Sequence, residues 1–362
     1  MKLLCVPIHL FMKRLSRYFS SCFCLVLLIL LGSCEEDRNT TSFNPTPVEI
    51  EIPSNFPSLV IPDNNPMTEE GIALGRKLFH DPILSGDNSQ SCASCHAQEF
   101  GFSDENRFSE GIDGTVGNRN AMTLINLGWA PRLFWDGRKS TLEEQALEPV
   151  TNPIEMHDTW PNVESKLMSH PEYPELFYAA FGNSIIDSTQ VVKAIAQFER
   201  TLISSNSKWD KVLRGEAELN SQEEAGMILF FSERGDCFHC HGTALLTDNL
   251  FHNNGLDSEF SDLGLGRVTR DENDHGKFRT PTLRNIAFSG PYMHDGRFST
   301  LREVIDFYSE GVQWSPTIDP LMKRVDNGGI QLGELEKQDL IAFLHTLSDT
   351  TFITNTEFDN PL

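Results

Sequence analysis

At 362 residues, with 39% hydrophobic and 22% charged residues, the chain is long enough for about two globular domains and too apolar for disorder throughout. Its formal charge of -23, more negative still once the basic N-terminus is set aside, argues against a nucleic-acid ligand, whose phosphates need a basic face. That charge suits a basic or neutral protein partner, although solubility alone also accounts for it.

Lys13, Arg14 and Arg17 precede an almost unbroken apolar stretch, Cys22 to Leu31, that is too short to span a bilayer comfortably. A secretion signal is therefore expected over residues 1–33, with Met12 as a second candidate start. The stretch ends in Leu31-Gly32-Ser33-Cys34, which resembles the lipobox of bacterial lipoproteins. That resemblance makes Cys34 the acylated first mature residue and implies an exported protein, in the periplasm or cell envelope, anchored to a membrane by lipid. Ordinary cleavage without lipid is the alternative. Residues 34–65, acidic at Glu35-Glu36-Asp37 and then rich in Asn, Thr and Pro, read as a flexible tether.

An amphipathic stretch at 68–80 leads into Cys92-Ala93-Ser94-Cys95-His96, and another at 221–231 leads into Cys237-Phe238-His239-Cys240-His241. Both are C-x-x-C-H, the attachment signature of c-type haem. Two thiols so spaced lie on one side of a helical turn and reach the two vinyl groups of one porphyrin. The following histidine then lies beneath the ring and supplies a nitrogen to iron. A thioredoxin-like redox pair or half of a zinc site would use the same spacing. Cysteine usage argues against both. Of eight cysteines, Cys5, Cys22 and Cys24 leave with the signal and Cys34 is taken by lipid, so the two motifs use the rest and leave none for a disulfide framework. Two haem c groups are expected.

An internal duplication surrounds these motifs. Asp136-Gly137-Arg138-Lys139-Ser140-Thr141-Leu142-Glu143-Glu144 matches Asp295-Gly296-Arg297-Phe298-Ser299-Thr300-Leu301-Arg302-Glu303 at seven of nine positions, at an offset of 159. Thr123-Leu124-Ile125-Asn126 matches Thr282-Leu283-Arg284-Asn285 at the same offset. Further on, Val191, Val192, Ile195, Phe198 and Leu202 keep helical spacing, as do Leu335, Leu340, Phe343, Leu344 and Leu347. Strand-like alternation is scarce. The expected fold is mostly α, with two cytochrome c-like domains at 66–215 and 216–350, each with one covalently bound haem, and a tail at 351–362. In the repeat frame Tyr308 corresponds to Pro149 and His294 to Trp135. Proline cannot bind iron, and after His96 no histidine occurs until His157. The second haem is thus expected to carry a distal ligand, Tyr308 with Met293 and Met322 as competitors, and the first to have an open face.

With these residues in view, the chain resembles the bacterial dihaem cytochrome c peroxidase family, and within it the MauG branch. The resemblance runs from about Pro66 to Ser348 and includes Phe134-Trp135-Asp136-Gly137-Arg138, Glu143-Glu144-Gln145-Ala146, Asn152-Pro153-Ile154-Glu155-Met156, Thr280-Pro281-Thr282-Leu283-Arg284-Asn285 and Pro291-Tyr292-Met293-His294-Asp295-Gly296. It implies a peroxide-reacting haem at Cys92, Cys95 and His96, and an electron-relaying haem at Cys237, Cys240 and His241. It further implies Trp135 between the rings, Glu155 as the distal acid–base group, Gln145 nearby, and calcium at Asn120, Ser289 and Pro291. Most members carry a displaceable histidine where this chain has Ile112, and methionine where it has Tyr308; the MauG branch departs in the same two ways.

The implied activity is reduction of hydrogen peroxide to water with electrons from a small cytochrome c or cupredoxin, in a chain that a family dimer would pair. The alternatives are a MauG-like oxidase that modifies a protein side chain with peroxide, and a non-enzymatic dihaem electron carrier. Peroxide heterolysis needs a base for the first oxygen and an acid for the leaving one, which a carboxyl group in an apolar pocket supplies. Glu155 and an open first haem therefore speak against the carrier. His294 reads as a core residue or a support behind the iron ligands rather than a ligand, and His239 as solvent-facing, while His80, His157, His170, His252, His275 and His345 are given no role.

Overall fold

In the computed structural model, which describes residues 43–362, many of the helix starts are fixed by a polar side-chain cap. The expected leader, Cys34 and the first part of the tether lie outside the described residues. Helix α1 (Glu69–His80) begins where the Thr68 hydroxyl accepts the Gly71 N–H, with Glu69 and Glu70 in its first turn and Lys77 and His80 in its last, as the helix dipole favours. Helices α2 (Leu142–Thr151), α3 (Trp160–Ser169), α4 (Tyr173–Phe181) and α5 (Ser188–Arg200) follow. They enclose a core around Leu74, Leu78, Val163, Phe177, Val191 and Ile195. The second half adds α6 (Lys208–Leu213), α7 (Ser221–Phe230), α8 (Phe238–His241), α9 (Leu265–Thr269), α10 (Leu301–Asp306), α11 (Glu334–His345) and α12 (Thr350–Ile353). Its core gathers Phe230, Leu246, Leu301, Leu340, Phe343 and Leu347. One short antiparallel pair, β1 (Phe251–His252) with β2 (Phe278–Arg279), is the sheet among the described residues.

The duplication is visible in three dimensions. Helix α1 crosses α5 so closely that a Cβ on Gly75 would stand 1.9 Å from the Ala194 carbonyl oxygen. Helix α7 crosses α11 in the same way, with Gly226 at 1.9 Å from the Asp339 carbonyl. Any side chain at either glycine would force the helices apart. The Leu133 N–H donates to the Lys139 carbonyl at 2.8 Å, and the Tyr292 N–H to Phe298 at 2.7 Å. Thr141 caps α2 and Thr300 caps α10 through their hydroxyls. Asn126 and Asn285 both sit in the left-handed region, at φ 58° and 57°. Their side chains converge on one residue: Asn126 Oδ1 accepts the Ser204 N–H at 3.0 Å, and Asn285 Nδ2 donates to the Ser204 hydroxyl at 3.2 Å.

Residues 44–362 form one compact unit, and several contacts tie its halves together. The fully buried Arg284 donates to both Asp210 carboxylate oxygens, at 2.8 and 3.0 Å, and its guanidinium lies 4.5 Å from the Phe56 ring centre. Burial works against the Asp210 charge, but Arg284 and Ser207 hold its carboxyl below the usual range. Two stretches differ from expectation. Within its described part the supposed tether is pinned: the Val48 N–H bonds to the Met67 carbonyl at 3.0 Å, and Phe56 is buried edge-on against Trp129. The polar, Pro-rich composition conceals an apolar anchor, Phe56, which is buried although Phe43 and Val60 are exposed. The segment read as a tail is also packed, with Phe352 and Phe358 buried beside Phe102 and Phe198 of the first half.

Candidate haem sites

Each C-x-x-C-H motif opens onto its own cavity. The first, of about 690 Å³, is lined by Cys92, Cys95 and His96, and the second, of about 230 Å³, by Cys237, Cys240 and His241. His96 Nδ1 is 2.9 Å from the Phe102 carbonyl oxygen and His241 Nδ1 is 3.0 Å from that of Leu246. A carbonyl partner fixes the proton on Nδ1 and leaves Nε2 with a lone pair for a metal. Burial lowers the pKa of both imidazoles, which favours that neutral form. All four thiols are free. Burial pushes Cys92 and Cys237 up to about 12 and Cys95 to about 11, opposite to the lowered values of a redox pair. Cys240 lies within metal-binding reach of Asp248 and His252. The two His252 nitrogens, however, are taken by Asp248 at 2.8 Å and Asp319 at 2.6 Å, so a zinc ion would have to displace one of these contacts. Free thiols with a tautomer-fixed histidine facing a cavity are a donor set that fits covalent haem.

The two cavities differ in what else lines them. Glu155 and Gln145 line the first, and Asn152 Nδ2 donates to Glu155 Oε1 at 2.6 Å. Burial raises the Glu155 pKa, against the pull of Asn152 and Arg138. His96 is the sole histidine lining this cavity. Ile112 is absent from the lining; its N–H donates to the Glu155 carbonyl at 3.0 Å, so its loop is latched to the backbone that carries the carboxylate. Tyr308, Met293 and Met322 line the second cavity. Asn254 Nδ2 donates to the Tyr308 hydroxyl at 3.0 Å and lies 3.7 Å from the Met293 sulfur. Burial pushes the Tyr308 phenol up to about 12, so a phenolate there needs a bound cation in place of the proton. Trp135 lines both cavities, and its indole N–H donates to the Asn120 carbonyl at 2.9 Å.

Comparison with known proteins decides the family. A model described as di-haem cytochrome c peroxidase matches residues 69–218. The chain is 38% identical over 290 residues to methylamine utilization protein MauG of Methylorubrum extorquens, covering 79% of this chain and 80% of that protein. It is 34% identical over 327 residues to cytochrome-c peroxidase IdrP1 of a Pseudomonas species, covering 81% and 84%. The chain belongs to the di-haem cytochrome c peroxidase family. The crystal structure of a MauG-like protein associated with microbial copper homeostasis superposes with a TM-score of 0.81 at 37% identity, covering 87% of this chain and 99% of that one. As a member of this peroxidase and MauG family the chain is an oxidoreductase that uses haem.

Other expectations meet the structure less directly. The Asn120 N–H donates to the His294 carbonyl at 2.8 Å and its side-chain amide to Asn106 and Arg107, but no hydrogen bond links it to Ser289 or Pro291 among the described residues. His294 is buried, stacked on Phe278 at 3.7 Å between ring centres, in keeping with a core residue. His252 had been given no role, yet it lines the second cavity and is clamped between two carboxylates; burial lowers its pKa, and Asp248, Cys240 and Asp319 together raise it. The sequence reading also missed Arg279, Glu199 and Asn254. Glu199 carried a signal: it falls four residues after Ile195 on the apolar stripe of α5, where a carboxylate is out of place.

Proposed function

We propose that the chain binds two covalent haems of unequal role and reduces hydrogen peroxide to water at the first, using electrons delivered through the second by a small cytochrome c or cupredoxin. The observation that carries this reading is the unequal lining of the cavities: Glu155 and Gln145 with no histidine beyond His96 on one side, Tyr308 and two methionines on the other. When bound, the first haem, held by Cys92, Cys95 and His96, would supply the redox-active iron for peroxide reduction. Glu155 takes the proton from one peroxide oxygen and returns it to the departing one, and burial prepares the carboxyl for both tasks by raising its pKa. Asn152 holds Glu155 in place, and Gln145 adds a polar group to the same wall. Trp135, bordering both cavities, is the aromatic bridge for electrons.

Tyr308 favours a second reading within the family, oxidation of a protein side chain at a distance. A phenolate oxygen is an anionic, hard ligand that stabilises oxidised iron. Export with a lipid anchor at Cys34, domains at 66–215 and 216–350, a homodimer, and calcium at Asn120, Ser289 and Pro291 belong to the same proposal. The test is the mass and the ferric electron paramagnetic resonance spectrum of the holoprotein. The denatured chain should keep the mass of two haems, and the spectrum should show one high-spin and one low-spin centre. One haem, or none, ends the dihaem reading; two low-spin centres end the open first site. Tyr308→Met should raise the potential of the second haem, and an unchanged potential removes the tyrosine ligand.

A further inference from the structure

Three arginines are buried among the described residues, and two of them are paired with acids: Arg200 with Glu143 and Arg284 with Asp210. Arg279 is not. It is 4% exposed and meets no carboxylate. Nη1 donates to Asn249 Oδ1 at 3.0 Å, Nη2 reaches only the Met122 sulfur at 3.7 Å, and Nε has no partner at all. Burial draws its pKa down to about 10, which still leaves it charged at neutral pH. A buried, unanswered guanidinium is strongly unfavourable, so the fold holds it there for an anion the protein chain itself does not provide. The place for that anion is narrow, because Arg279 lines both haem cavities. Of the acids on those walls, Asp136 pairs with Arg119 and Arg138, Glu155 is bonded by Asn152, and Glu199, though one of its oxygens is unpartnered, forms no hydrogen bond or ion pair with Arg279.

We propose that Arg279 binds a haem propionate carboxylate at the wall between the two cavities and sets the potential of the haem that carries it. The inference rests on the haem reading above. A guanidinium presents its donors in a planar fork that matches a carboxylate, and the orphaned Nε lies on one edge of that fork. The backbone N–H of Arg279 donates to the Trp135 carbonyl at 2.9 Å, so one residue would tie the cofactor's acid group to the aromatic residue bordering both sites. Arg279 is a positioning residue in this scheme and takes no part in proton transfer.

The test compares holoprotein carrying Arg279→Met with Arg279→Lys and wild type. Haem stoichiometry by mass comes first; a wild type without two haems refutes the dihaem reading and is recognised there, before Arg279 is judged. Potentiometric titration of both haems then decides. A positive charge beside the porphyrin favours the reduced state, so Arg279→Met should lower at least one midpoint potential, and Arg279→Lys should keep most of the wild-type value. Unchanged potentials in Arg279→Met with both haems present overturn the proposal. So does a wild-type potential that moves with chloride concentration, which would mean a free anion occupies the site. Arg279→Gln, polar but uncharged, serves the same comparison if Arg279→Met does not accumulate.

Discussion

At equivalent positions of the duplicated frame, Pro149 lines the first cavity and Tyr308 the second, and both interrupt a helix. Pro149 sits inside α2, where it removes an N–H that would have bonded to the Gln145 carbonyl. Tyr308 sits in a π turn, Phe307–Gly311, which continues α10 with a widened spacing. Glu199 in α5 faces the first cavity, and its counterpart at an offset of 145, Leu344 in α11, faces the second. Arg284 bridges to Asp210 where the first half has the buried Ile125. The capped helices, the glycine crossings and the Asn126/Asn285 junction are held in common, while the divergence sits on residues that line the cavities or their seam. A duplicated scaffold thus keeps its packing and specialises its walls, as expected where close crossings tolerate no side chain but a cavity lining does.

The largest effect should come from the residue that sets the first cavity apart. Glu155→Gln is expected to slow reaction with hydrogen peroxide by about a hundredfold or more, the usual contribution of a general acid–base group. Because burial raises the Glu155 pKa, the wild-type rate should fall as pH drops through that raised value, where the ionised base is lost. The variant should lack this limb. Stopped-flow rates across pH read both outcomes, and a rate within twofold of wild type would mean that the two cavities do not differ in acid–base chemistry.

Next in size is the seam. Asp210→Ala strands the Arg284 guanidinium in the interior and should cost about 3–5 kcal/mol of stability. At the equivalent position in the first half, Ile125→Val should cost only about 0.5–1.5 kcal/mol. Denaturant titration of the two haem-loaded variants makes the comparison. Equal losses would show that the ion pair contributes no more than apolar packing does at the same place.

The features that could be read in advance are those written in spacing. The two C-x-x-C-H motifs, the Asp-Gly-Arg repeat and the apolar stripes of α5 and α11 all encode position along the chain, and they located both cavities and the mostly helical fold. The Pro149/Tyr308 comparison could be drawn because the offset of 159 is constant from Thr123 through Glu144, and the two residues do line different cavities. What stayed hidden depends on contacts between distant segments. Arg279 looks like any arginine before Thr280-Pro281, and only the fold reveals that no carboxylate reaches it. Asn254 matters through Tyr308, which is 54 residues away. The pinned residues after Pro47 were misread because composition records polarity and cannot show that Phe56 finds Trp129 and Arg284.

The smallest effect concerns Glu199, and there the two halves can be made more alike. It is 4% exposed, its Oε2 has no hydrogen-bond partner, and burial, with Glu143 adding to it and Arg200 opposing, pushes the carboxyl up to about 8. A folded pKa above the unfolded one means that folding favours the protonated form. The stability this group contributes is complete below the ordinary glutamate range, near pH 4.5, and is lost progressively as pH rises toward 8. Glutamine keeps the shape and cannot ionise, so Glu199→Gln should melt with the wild type near pH 4.5. At pH 8 it should melt higher, because the wild type must then bury a charge or hold a proton that the solvent no longer favours. Taking the difference between variant and wild type at each pH cancels the titration of every other group they share. Glu199→Leu, which copies Leu344, should show the same rise with pH. A difference that does not vary with pH, or a variant that melts lower at pH 8, would mean that Glu199 is ionised in the folded protein and that the Arg200 charge outweighs its burial.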